Sequence, residues 1–159
     1  MADQPQPAFM RRAIALGREG MLAGAGGPFG CVIVRAGQIL AEGNNRVLAS
    51  HDPTAHAEVV AIRAVCDRIG HFELRGCDLY TSCEPCPMCL GAANWARVGR
   101  IFFAAIREDA AAGGFDDEWL YREVAAPLAS RRIPNIPLLR HEAAPLFQEW
   151  LAKADRTPY

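Results

Sequence analysis

The stretch from Cys77 to Ile106, CDLYTSCEPCPMCLGAANWARVGRIFFAAI, decides the fold class. "CDLYTSC" reads as a brief strand, "PCPMCLGAANWARV" as a helix with Pro85 or Pro87 near its start, and "RIFFAAI" as a buried strand. Strands alternating with helices build an α/β domain around a mostly parallel sheet covered on both faces.

The pattern extends outward from there. Upstream, "SHDPTAHAEVVAIRAVCDRIG" supplies turn and cap chemistry and then a helix with Val59, Ile62, Ala64, Val65 and Ile69 on one face, stopping at Gly70. "FGCVIVRAGQILAEGNNRV" reads as two short strands joined as a hairpin at "AGQ". A first helix runs from Ala8 to about Ala23 and ends in "GAGGP". Downstream of Arg107, "EDAAAGGFDDEWLYREVAAPLA" suggests a Gly-Gly loop and one helix, "IPNIPLLRHE" a Pro-limited edge strand, and "AAPLFQEWLAKA" a final amphipathic helix. Five strands are thus read, in a single domain spanning residues 1–159, with no repeat and no linker that would divide it.

Composition fits that picture. At 159 residues the chain can bury roughly two-thirds of the surface its unfolded form exposes. Hydrophobic residues are 51% and charged residues 22%, which argues against disorder. A net charge of −1 gives no electrostatic case for a nucleic-acid or membrane-surface partner, and Arg131, Arg132 and Arg140 are too modest a cluster to supply one. No apolar run approaches the roughly 18 to 20 residues needed to cross a bilayer. "MADQPQPAF" lacks the basic-then-apolar pattern of a signal peptide, so a reducing cytoplasm is expected. There, six cysteines point to metal ligands and core packing rather than to disulfides.

Two helix N-termini carry the chemistry. "TAHAE" opens one and "PCPMC" the other, each following an element that ends at the sheet edge where ligands bind in α/β folds. His56, Cys86 and Cys89 then form a donor set suited to tetrahedral zinc, with a fourth position left for water. Glu58, two residues past His56, sits in the first helical turn, where it can take a proton from that water and deliver it to a leaving group. The rival arrangement adds Cys83 to the set and closes a purely structural site; the turn at Glu84 and Pro85 aims the Cys83 sulfur toward the sheet interior instead. A purely structural site would have no use for a carboxylate beside its metal.

"HAE" followed by "PCPMC" resembles the zinc-dependent nucleoside and nucleobase deaminases. "GGPFG", "DPTAHAEV", "YTSCEPCPMCLGA", "AGGFDDE" and the terminal tyrosine are similar to the bacterial guanine deaminases within that superfamily. The resemblance implies a cytidine-deaminase-like three-layer α/β/α sandwich and hydrolysis of guanine to xanthine and ammonia in purine catabolism. It places His56, Cys86 and Cys89 on Zn2+ with Glu58 as proton shuttle. It further implies that Asn45 hydrogen-bonds the base, that Phe29 and Trp95 help enclose the ring, that Asp117 assists recognition and proton transfer, and that Tyr159 belongs to a lid. A homodimer with residues 142–159 exchanged between subunits is also implied. Plainer readings stand beside these: Asn44 and Asn45 as turn residues, Trp95 as core, Asp116 or Asp117 as a helix cap, and Tyr159 as a frayed end. A deaminase of guanosine, cytosine, a guanine-like triazine or transfer-RNA adenosine, and a zinc-stabilised binding module, are the alternative functions.

Overall fold

The computed structural model describes residues 4–159 and divides the chain into two compact units, Met1–Glu118 and Trp119–Tyr159. In the first unit α1 (Pro7–Leu22) leads into the hairpin β1 (Gly30–Arg35) and β2 (Gln38–Asn44). The one-turn helix α2 (Val47–Ser50), α3 (Ala57–Ile69), β3 (Asp78–Cys83), α4 (Pro87–Trp95), β4 (Arg100–Ala105) and α5 (Arg107–Ala112) follow. The hairpin turns at Ala36 and Gly37, both left-handed at φ 48° and 76°, the geometry that matches strand twist.

The sheet order is β2-β1-β3-β4. β1 pairs antiparallel with both β2 and β3, and only β3 and β4 run parallel. This corrects the expectation of a mostly parallel sheet. The hairpin inserts β1 beside β3, so one of its strands must oppose the direction that the strand-helix-strand unit sets.

Both faces of the sheet are covered. Cys31 and Ile33 of β1 and Leu79 of β3 pack with Ala57, Ala61, Ile62 and Val65 of α3 and Ala93 of α4. Val32, Val34 and Tyr80 point the other way, onto Leu16, Phe9 and Met10 of α1. Successive strand residues serve opposite layers, which is why "CVIV" is apolar without interruption. Gly43 lets α3 come close, because a Cβ there would lie 2.5 Å from the Ala57 carbonyl oxygen.

Three further expectations change. Ala64 and Ile69 are exposed, and Ala61 takes the place in the α3 core that they were expected to fill. β4 has one strand neighbour among the described residues, so Phe103 is 46% exposed rather than buried. Finally, residues 131–139 form no strand, leaving four strands where about five were expected. Pro134 and Pro137 each lack a ladder donor.

The second unit consists of most of α6 (Glu118–Ala125), a short 3-10 turn (Leu128–Ser130), α7 (Arg140–Ala143) and α8 (Pro145–Ala152). It offers no strand with which residues 131–139 could pair. Among the described residues no helix is long and apolar enough to cross a membrane, and all six cysteines are free thiols.

Candidate active site

Two helix starts converge. His56 is the residue before α3, in extended conformation, and Cys86 holds the same position before α4, with Pro87 as the first helical residue and Cys89 one turn in. At a helix start the chain has not yet turned into the helix, so the capping side chain projects from the helix mouth. Free N–H groups there favour anionic sulfur. His56 Nδ1 lies 3.6 Å from Cys86 Sγ and 3.5 Å from Cys89 Sγ, and the three donor atoms all fall within 4.8 Å of one another.

The geometry fits zinc. Tetrahedral zinc takes sulfur at about 2.3 Å and imidazole nitrogen at about 2.0 Å, which separates the two donors by about 3.5 Å. Cys83 stands outside this group: its sulfur faces the Ile106 carbonyl at 3.7 Å, and burial pushes its thiol up to about 11. Cys86 is held down to about 4, chiefly by a hydrogen bond from Cys89, with His56 adding to the effect. The same shared proton pushes Cys89 upward and, through Cys86, raises His56.

Residues 3–105 match the family described as the cytidine and deoxycytidylate deaminase zinc-binding region. The chain belongs to that deaminase family. A guanine deaminase of Bacillus subtilis is 52% identical over 151 residues, covering 95% of this chain and 97% of its own. The solved structure of guanine deaminase from that organism matches with a TM-score of 0.91 at 50% identity, over 98% of this chain and 99% of its own. A guanine deaminase structure from Nitrosomonas europaea matches at 0.67 with 31% identity, over 96% and 88%. A tRNA-specific adenosine deaminase of Aquifex aeolicus is 34% identical, over 79% of this chain and 81% of its own.

In this deaminase two of the three donors, His56 and Cys86, border a cavity of about 420 Å³ whose lining also includes Glu58, Asn45, Phe29, Cys83 and Asp117, while Cys89 lies buried behind them. Glu58, in the first turn of α3, is 6% exposed, and burial pushes its carboxyl up. The Thr81 hydroxyl donates to its Oε1 at 2.9 Å. Asn45 follows β2 and is buried; its Oδ1 accepts the backbone N–H groups of Gly27 and Val47 at 3.3 and 3.2 Å. With both lone pairs of that oxygen engaged, only the Nδ2 donor is left for a ligand. Gly26 allows this packing, since a Cβ there would meet Asn45 Oδ1 at 2.0 Å.

Asp116 and Asp117 divide their work. Asp116 Oδ1 accepts the Glu118 N–H and so caps α6, while Asp117 lines the cavity. Partial burial, with the charge of Cys86 nearby, pushes the Asp117 carboxyl up. Phe29 meets Phe115 edge-on at 5.0 Å. Phe115, Glu84 and Arg107 also line the cavity and escaped sequence reasoning. The motif "GFDD" contained Phe115, but nothing local to it showed that the ring turns toward Phe29.

Trp95 is the residue the structure moves away from its expected place. It is 68% exposed at the far end of α4 and does not line the cavity. A nine-residue helix is about 13 Å long, which places Trp95 at the opposite end of α4 from Cys86. Tyr159 lies in the second unit and is 71% exposed.

Proposed function

We propose that this deaminase hydrolyses guanine, one water and one base giving xanthine and ammonia. What carries the substrate is the 52% identity to a guanine deaminase over 95% of the chain. What carries the chemistry is the placement of Glu58, Asn45 and Asp117 around one cavity with His56 and Cys86, which Cys89 joins in a single donor group.

His56, Cys86 and Cys89 would hold the zinc, which would supply a water whose pKa is brought to about 7. Glu58 would take a proton from the water that attacks C2 and deliver it to a ring nitrogen of the base. The proton left on the added oxygen would pass to the departing amine, so that the C2–N bond breaks as the C2 carbonyl forms, and Asp117 would share this work. Burial raises the proton affinity of both carboxyls, which suits groups that must hold a proton near neutral pH. Asn45 Nδ2 donates to an acceptor on the base, so a carbonyl oxygen or bare ring nitrogen is matched there and an amino group is not. Phe29 packs on the ring, with Phe115 beside it. Trp95 is given no part in enclosing the ring within its own subunit.

We further propose that the chain acts in the cytoplasm as one deaminase domain and forms a homodimer. Residues 142–159 are exchanged between subunits, and Tyr159 belongs to the lid. The near-neutral net charge supports a free base rather than a nucleic acid as substrate. Ammonia release from guanine, guanosine, adenine, cytosine and cytidine, compared between wild type and Glu58→Ala, tests the reading. Guanine is expected to be the preferred substrate and Glu58→Ala to lose at least about a hundredfold in kcat. Equal rates for wild type and variant would sink the assignment.

A further inference from the structure

We infer that Thr81 is a positioning residue for the reaction, fixing the carboxylate of Glu58 through its hydroxyl. The inference rests on the reading of Glu58 as proton shuttle. It begins from an anomaly in β3. Cys77, Leu79, Thr81 and Cys83 alternate onto the sheet face that meets α3 and α4, where Cys77 and Leu79 join a cluster of Cys31, Ile33, Ala57, Ala61, Ile62 and Val65. Thr81 is fully buried in the same file, set between Cys31 of β1 and Phe103 of β4 in the sheet register. Packing alone would be met there by valine, which has the same shape and no polar atom. A hydroxyl in that setting is stable only if it is bonded, and its partner is Glu58 Oε1 at 2.9 Å.

The geometry gives that bond a direction. Glu58 is itself buried, on the first turn of α3, and borders the cavity. A free glutamate has three side-chain torsions to settle; the Glu58 carboxylate also accepts from its own backbone N–H and from the Cys89 thiol, whose proton is lost when that sulfur takes a metal, and Thr81 is the partner supplied by the sheet. Thr81 projects from a central strand whose neighbours are hydrogen-bonded on both sides, so its hydroxyl is a rigid reference point. Anchoring Oε1 on the sheet fixes the plane in which the carboxylate borders the cavity. The carboxylate that carries the proton is therefore held from β3 as well as from the start of α3.

Thr81→Val removes the hydroxyl while keeping the shape, and Thr81→Ser keeps the hydroxyl while losing a methyl group. Steady-state kinetics on guanine with the zinc-loaded full chain should show Thr81→Val losing about ten- to a hundredfold in kcat with KM within about twofold. Thr81→Ser should recover most of the loss, while zinc content and melting temperature stay near wild type in both. A general packing role predicts the reverse order, with Thr81→Ser the worse variant. That order, or wild-type kcat in Thr81→Val, overturns the inference. Combining Thr81→Val with Glu58→Ala separates the two readings. If Glu58→Ala is slow and Thr81→Val slows it no further, Thr81 acts through Glu58. If Thr81→Val slows it again by the same factor, Thr81 acts by another route and the inference falls while the shuttle stands. If Glu58→Ala is as fast as wild type, both fall.

Discussion

Cys83, Cys86 and Cys89 are equally spaced in the sequence and unequal in the fold. Cys83 is the last residue of a strand, Cys86 the residue before a helix and Cys89 one turn inside it. Backbone direction changes at Pro85 and Pro87, so the first sulfur turns to a carbonyl and the other two to His56. Cys86→Ser should lose the metal and with it nearly all activity, by elemental analysis and ammonia release. Cys83→Ser should keep a full equivalent of zinc and stay within about threefold of wild-type kcat, as expected for a nearly isosteric change at a cavity wall outside the donor group. Zinc loss in Cys83→Ser would make Cys83 a ligand. The donor set was legible because every ligand is tied to a local signal: a helix start, a proline, a three-residue interval. Only part of the cavity wall was legible, Phe29, Asn45 and Asp117 through the resemblance, because Phe115 and Trp95 are sorted by which end of which element they occupy in space, a property that no neighbouring residue encodes.

Among the elements, helices were read well and sheet partnership poorly. Gly70 stops α3 and Pro87 starts α4, and both signals act within a few residues of themselves. The order of strands depends on contacts between distant segments, so the central place of β1 and the edge place of β4 could not be read from their apolar runs. One contact between elements carries its own pH dependence. Arg12 of α1 donates twice to Glu42 of β2, at 2.7 Å to each oxygen, and once to Glu19 at 2.9 Å. That guanidinium holds the Glu42 carboxyl below its ordinary 4.5. The unfolded chain therefore takes up this proton first as the pH falls, so the contribution is complete above 4.5 and disappears through the lowered folded value. Both groups are about a third exposed, and solvent limits the effect to about 0.5–1 kcal/mol. Glu42→Gln should cost that much in urea unfolding at pH 7, and the gap to wild type should close in acid. A gap that persists at pH 2.5 would show that the loss comes from packing.

For the whole molecule the division after Glu118 sets the questions. The first unit holds every candidate ligand and every cavity-lining residue named above, and the second holds Tyr159 and presents Leu146, Phe147 and Leu151 of α8 well exposed. Deleting Lys153 to Tyr159 should lower kcat on guanine at least about tenfold while leaving one zinc per chain, measured together on the same preparation, because a lid excludes water from the reaction without holding the metal. Full activity in the truncated chain would remove Tyr159 from the mechanism.

The meeting of two helix starts also has a consequence for folding. His56 is separated from Cys86 by 30 residues and from Cys89 by 33, and between them the chain runs through α3 and β3. An ion bound at their junction is a reversible clasp on that loop. It holds α3 against α4 in the native chain and has no comparable site in the unfolded one. The unfolding free energy thus becomes a function of metal activity, rising by about 1.4 kcal/mol for each tenfold increase in free zinc once the site is saturated. A cell that starves this protein of zinc removes its reactivity and loosens its architecture in the same step.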